Sequence, residues 1–194
     1  MYKLSTFYKK GVKLHRPSEE EVERRRKEYK KVRLEEIVER ILEVPYKKRE
    51  DGKYDIYGSV DLYKMQLISL LKLPIKFGKV YGNFWCSYNQ LVSLEGAPKY
   101  VSGYFFCYGN QLKDLKGAPE YVGGGFDCSD NQLMSLEGAP EYVGGNFFCS
   151  NNRLVSLEGA PAYVGGDFYC WNNAKKFTEE EVRKIVNVKG EVHI

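Results

Sequence analysis

Apolar and polar positions alternate in a frame that returns every 21 residues. Phe84, Phe105, Phe126, Phe147 and Phe168 each stand two residues before a cysteine, at Cys86, Cys107, Cys128, Cys149 and Cys170. An Asn follows three residues after each cysteine, from Asn89 to Asn173. A Leu pair at i, i+3 comes next in four units, as at Leu91 and Leu94, and then Gly-Ala-Pro, ending at Pro98, Pro119, Pro140 and Pro161. Phe and Cys at i and i+2 share one face of a short strand. The Leu pair turns under them, and Gly-Ala-Pro closes a tight turn where Pro ends any strand ladder. A fixed period of this length marks stacked units that bury their apolar faces on one another. The frame predicts one parallel strand per unit and an irregular return, with the Asn amides bonding backbone groups of neighbouring turns. The Tyr100, Tyr121, Tyr142, Tyr163 row reads as a packing ladder on the return side.

A sixth, divergent unit precedes these. Gly58 to Leu70 aligns without gaps on Gly82 to Leu94, with Leu62 in the cysteine position and Met65 in the Asn position. Its offset is 24, as suits a terminal repeat. At the N-terminal side, Ser18 followed by Glu21 is a capping box, which opens a helix expected to run to Val44 and stop at Pro45. Leu34, Ile37, Val38, Ile41 and Leu42 form an i, i+3, i+4, i+7, i+8 stripe predicted to seal the first repeat. After the repeats, Thr178 and Glu181 form a second capping box, opening a short helix with Val182, Ile185 and Val186 inward. Asn187 to Ile194 then alternates like a closing edge strand. The organisation expected is 1–50 as an N-terminal basic and acidic helical cap, 51–173 as the solenoid, and 174–194 as a helix-strand cap, together one cooperative unit.

The run Phe-x-Cys-x-x-Asn-x-Leu-x-x-Leu resembles the core of a leucine-rich repeat, with Phe and Cys in place of two leucines. The Gly-Ala-Pro return is similar to that of the bacterial or phage type. The resemblance covers about residues 58 to 173 and departs from the family in its Phe/Cys core and Gly-rich turns. It implies an α+β repeat solenoid: a leucine-rich-repeat-like parallel β-sheet stack of about six units with helical caps at both ends. It also implies a curved solenoid that binds proteins on its concave sheet face.

Composition narrows the chemistry. No stretch approaches the ~18 apolar residues of a membrane helix, and residues 1–10 lack the apolar run of a signal peptide. The two His, at 15 and 193, leave little for His-based catalysis or zinc. Five Cys is an odd number, which excludes a fully paired disulfide framework. A 21-residue spacing with no Cys-x-x-Cys is repeat spacing rather than a metal site. Buried, reduced thiols fit a cytoplasmic setting. No phosphate-binding loop with its Lys and no nucleophile–base pair can be assembled, so no enzymatic activity, cofactor or metal is expected.

Two regions remain as functional candidates. The outward strand positions carry Trp85, Phe106, Asp127, Phe148 and Tyr169, with Tyr88, Tyr108, Asp130 and Trp171 beyond them and Tyr104 before. Exposed aromatic rows mark interfaces, although cross-strand stacking alone also accounts for such a row. The expected function is a protein-protein interaction module, an adaptor or inhibitor, holding an unidentified partner protein on this face; a homodimer through the same face is an alternative. The other candidate is the N-terminal helix. Residues 1–50 carry 16 Lys/Arg against 10 Asp/Glu, whereas the rest of the chain is slightly acidic. Arg24, Arg25, Arg26, Lys27, Lys30, Lys31 and Arg33 cluster there, as in nucleic-acid-binding segments, but interleaved glutamates permit i, i+4 pairs such as Glu20–Arg24.

Overall fold

The computed structural model describes residues 18–194, with the side chains at 25, 26 and 29–33 outside the description. Contacts divide the chain into residues 1–33 and 34–194. In the first unit, the described residues are the start of helix α1 (Glu19–Ile41), where Ser18 Oγ accepts the Glu21 amide at 3.1 Å. Three glutamates in that first turn complement the helix dipole. The helix ends three residues before Val44, and residues 42–44 turn toward Pro45.

Residues 34–194 form a parallel β-solenoid of about seven turns. A hairpin of β1 (Tyr46–Lys48) and β2 (Tyr54–Ile56), joined through Gly52 at a φ of 78°, opens it. The chain then runs through β3 (Val60–Asp61), a 3-10 turn at Leu70–Lys72, β4 (Phe77–Val80) and β5 (Phe84–Trp85). Three regular turns follow as β6 (Tyr100–Val101) with β7 (Phe105–Phe106), β8 (Tyr121–Val122) with β9 (Phe126–Asp127), and β10 (Tyr142–Val143) with β11 (Phe147–Phe148). The last elements are β12 (Tyr163–Val164), β13 (Phe168–Tyr169), α2 (Glu179–Ile185), β14 (Asn187–Val188) and β15 (Val192–His193).

Each turn therefore supplies two strands. Beyond the hairpin, the even-numbered strands make one sheet, eight-stranded in the order β1-β2-β4-β6-β8-β10-β12-β14. The odd-numbered strands from β3 to β15 make a seven-stranded second sheet. This corrects the expected single strand with an irregular return. The Tyr-Val pair is itself a strand, with Val101, Val122, Val143 and Val164 fully buried and the tyrosines turned outward. Their rings stack at 5.0, 4.9 and 4.9 Å from Tyr100 to Tyr163. Two residues are too few to show a period, so the strand was hidden in the sequence.

Between the sheets each turn bends at a glycine. Gly103, Gly124, Gly145, Gly166 and Gly190 each donate their amide to the glycine carbonyl one turn earlier, at 2.8–3.0 Å. A methyl group on Gly124 would sit 2.9 Å from the Gly103 carbonyl carbon and oxygen, so the corner admits no side chain. Inside, the five repeat Phe rings stack at 5.2–5.5 Å, and all are fully buried with the Leu pairs and the Val row. One turn buries a Phe, a Val, a Cys and two Leu, at about 1.5–3 kcal/mol for each large side chain. That gain appears only when a neighbouring turn covers them.

The two ends of this unit join the same core. Ile37 and Ile41 are buried in it, with Leu34, Val38 and Leu42 packed alongside. The Thr178–Glu181 capping box forms in both directions, at 3.2 and 2.9 Å. Val182 and Val186 face inward, but Ile185 is 55% exposed, contrary to expectation, because the i, i+4 pair takes the inner face of a helix only seven residues long. The expected closing edge strand is also corrected. Residues 187–194 bend at Gly190 into β14 and β15, which extend both ladders as a further turn. Arg183 holds that bend, donating to the carbonyls of Val188 at 3.0 Å and Gly190 at 2.9 Å. Among the described residues no helix is long and apolar enough to cross a membrane.

Candidate functional site

The Asn ladder sets the height of the functional face. Asn110 Nδ2 donates to the carbonyls of Cys107 at 2.9 Å and Cys86 at 3.0 Å, and its Oδ1 accepts the Leu91 amide at 3.0 Å. Asn89, Asn131, Asn152 and Asn173 repeat the arrangement. These amides pair the backbone where the chain leaves the seven-stranded sheet, as expected. The five cysteines beneath are buried and free, and Cys107, Cys128 and Cys149 direct Sγ at a carbonyl of the next turn. Burial raises their thiols, that of Cys170 to about 11, which leaves them in the unreactive protonated form.

Above this floor, three columns run along the outward face. The first is Asp61, Trp85, Phe106, Asp127, Phe148, Tyr169 and His193, in direct cross-strand register. The second, two residues on, is Tyr63, Ser87, Tyr108, Ser129, Ser150 and Trp171. The third is a left-handed backbone position in every turn, occupied by Lys64, Tyr88, Gly109, Asp130, Asn151 and Asn172 with φ of 53–67°. Gly, Asn and Asp tolerate that conformation, while Tyr and Lys do so at a cost. Tyr88 and Asp130, grouped from sequence with Tyr108 and Trp171, therefore belong to a different column.

The aromatic side chains gather into two clusters. In one, Tyr88 lies edge-on to Tyr63 at 5.6 Å and Tyr108 at 5.1 Å, and Phe106 contacts Tyr108 at 6.2 Å and Tyr104 at 5.6 Å. Lys64 Nζ lies over both Tyr63 and Tyr88. In the other, Phe148 stacks on Tyr169 at 4.5 Å, with Trp171 edge-on at 5.4 Å and His193 stacked at 4.3 Å. Cross-strand stacking thus accounts for part of the aromatic row. It leaves Trp171 44%, Tyr88 49% and Tyr104 50% exposed, and Trp85, Phe106, Tyr108, Phe148 and Tyr169 half-buried.

Asp127 stands between Phe106 and Phe148 in the first column. One oxygen accepts the Ser129 amide at 2.9 Å, and among the described residues it makes no ion pair. Burial among the rings pushes its carboxyl above the usual range. Asp167 behaves oppositely. The Glu191 amide at 2.9 Å and then the Tyr169 hydroxyl at 2.9 Å hold its carboxyl low.

Several members of the face were missed from sequence, among them His193, Ser87 and Ser150. His193 joins it because Val192-His193 aligns on Phe168-Tyr169 at an offset of 24, the same offset as the first unit. Ser87 and Ser150 share the column of Tyr63, Tyr108 and Trp171, and column position was their only signal. Of the second candidate, Arg24 and Lys27 are exposed on α1, while the side chains of Arg25, Arg26, Lys30, Lys31 and Arg33 lie outside the described residues.

The fold and this face define a parallel β-solenoid with a 21-residue period and an aromatic, acidic sheet surface. No family model matches the chain, nor does any curated protein or solved structure.

Proposed function

We propose that this protein is a non-enzymatic interaction module, an adaptor or inhibitor, that holds a partner protein on the outward face of its seven-stranded sheet. One observation carries the reading: a desolvated Asp127 without an ion pair among the described residues, set between two clusters of partly exposed aromatic rings. Such a group costs stability in isolation, and a partner that pairs it would recover that cost, which supports a binding role for this face. Tyr and Trp supply large, rigid contact area at low entropic cost. The likeness of the repeat to leucine-rich proteins supports the same role. Five buried free thiols support a reducing, intracellular setting. An acidic face suits a protein better than a phosphate backbone, which leaves the basic stretch of α1 as the nucleic-acid alternative.

Affinity capture from the native lysate tests this. Trp85→Ser with Phe148→Ser, folded by circular dichroism, should lose the recovered partner, while neutralising Arg24 and Lys27 should retain it. The opposite pattern transfers the function to α1. Concentration-dependent dimerisation abolished by the Trp85/Phe148 pair makes the partner a second copy of this chain.

A further inference from the structure

Two serine hydroxyls are buried without a hydrogen-bond partner among the described residues, Ser87 Oγ and Ser150 Oγ. They occupy equivalent places. Ser87 lies two residues after Trp85, one turn beyond Asp61, and Ser150 lies two residues after Phe148, one turn beyond Asp127. The next turn adds Phe106 and Tyr108 in the first case and Tyr169 and Trp171 in the second. The face thus carries the same three-turn block twice: a carboxylate, an aromatic ring beside an orphan hydroxyl, and a pair of aromatic rings. The two carboxylates even bond alike, each accepting at 2.9 Å the amide two residues on, from Tyr63 and from Ser129. Neither makes an ion pair among the described residues, and Lys64, the fixed cation of these columns, is engaged with tyrosine rings. In the first block Asp61, Tyr63, Trp85, Ser87, Phe106 and Tyr108 line one groove.

The chemistry of a block selects its occupant. A carboxylate framed by aromatic rings takes a cation. A quaternary ammonium would leave the buried hydroxyl unpaired, and an ammonium is a strongly hydrated point charge. A guanidinium is planar, stacks on rings, and carries five N–H donors, enough for the free carboxylate oxygen and for the serine Oγ, which is covered in the free protein and is reached when the side chains over it shift. Spacing then selects the backbone. Turns lie about 4.8 Å apart, so equivalent groups three turns apart are separated by ~14 Å. In an extended chain, residues i and i+4 project on the same side ~14 Å apart. In an α-helix the same span takes about nine residues, which face opposite ways.

Resting on the interaction role above, we infer that the sheet face binds an extended basic segment of its partner, seating two arginines spaced Arg-x-x-x-Arg in the blocks marked by Ser87 and Ser150. The two tryptophans of the chain, Trp85 and Trp171, lie one in each block and report each separately.

The test titrates the full chain with the capped peptide Thr-Arg-Thr-Val-Thr-Arg-Thr, followed by tryptophan fluorescence in the Trp85→Phe and Trp171→Phe variants. Both tryptophans should respond. Replacing both arginines by citrulline should weaken binding by about 100-fold or more, and by lysine by about tenfold. Shortening the spacer by one residue should reduce affinity to that of a single-arginine peptide. Asp61→Asn and Asp127→Asn, which keep the oxygen that accepts the local amide, should each do the same. Equal binding of the citrulline or shortened peptide overturns the inference, as does indifference to both Asn variants. A neutral oligosaccharide that quenches Trp85 while the arginine peptide is silent also overturns it. If no arginine peptide binds but the Trp85/Phe148 pair still abolishes partner capture, the interaction role stands and the guanidinium assignment falls.

Discussion

Asn110 accepts the amide of Leu91, nineteen residues earlier, at 3.0 Å, and so ties one turn of the solenoid to the turn before it. The same side chain donates to the carbonyls of Cys86 and Cys107. Asn110→Ala leaves the buried Leu91 amide unpaired and takes one of two amide donors from each of the two carbonyls, which keep Asn89 and Asn131, and should cost on the order of 3 kcal/mol. For a chain of this size that lowers Tm by ~6–12 °C. Asn173→Ala should cost less, since its bonds, at 2.8 Å to Cys170, 3.2 Å to Leu154 and 3.3 Å to Cys149, are only partly buried and water can replace them. Urea denaturation of the two variants checks the order.

The corner glycines give a second expectation. Gly124→Ala forces a methyl group onto the backbone of Gly103 and should destabilise by more than ~2 kcal/mol. Ser102→Ala, one residue before the Gly103 corner and exposed, should change stability by less than ~0.5 kcal/mol. Thermal melts of both variants distinguish a corner that excludes side chains from one that merely lacks them.

Asp55 makes stability depend on acid. Burial alone would raise its carboxyl, but the Arg49 guanidinium, at 2.9 Å to each oxygen, and the Lys79 amide at 2.6 Å more than offset it and hold it below the usual range. The folded value is lower than the unfolded one. Its contribution is therefore complete above the unfolded carboxylate range, about pH 4, and is lost as pH falls through the folded value. Asp55→Asn should be less stable than wild type at pH 7, and the gap should narrow below about pH 4. Urea midpoints at pH 7 and pH 3 test this.

Asp127 has the opposite sign. Burial raises its carboxyl, so the folded protein holds that proton more tightly than the unfolded chain. Ionisation then costs stability at neutral pH, and the cost disappears as pH falls through the raised value. Asp127→Asn should raise Tm at pH 7 by ~1–3 °C and leave it unchanged in acid. A melt in which Asp127→Asn is less stable at pH 7 would show that the carboxylate is paired rather than stranded.

Much of this was legible in the residues. A 21-residue recurrence of Phe, Cys, Asn and Leu locates the core, because a stack of identical turns must bury identical side chains. The capping box at Thr178 and the Ile37/Ile41 stripe were equally plain, since both rest on local spacing. Less legible was anything defined across turns. The second sheet is built of pairs such as Tyr121-Val122, too short to carry a period, and it exists because each pair finds a partner one turn away. Tyr88 looked like a neighbour of Tyr108 in the outward column, but a φ of 53° turns it into the next one. His193 looked like a terminal residue until β15 joined β13 and placed its ring on Tyr169.

The amino-acid sequence by itself determined the repeat, its core side chains, the buried cysteines and the aromatic, acidic character of one face, because these follow from period and side-chain chemistry. Only the tertiary structure decided that each turn makes two strands and that the chain closes with a further turn after α2. It alone set Asp127 between two ring clusters and left Ser87 and Ser150 without hydrogen-bond partners among the described residues. Those outcomes depend on which groups meet 21 or 24 residues apart in the chain and one turn apart in space, and on the water that such meetings exclude.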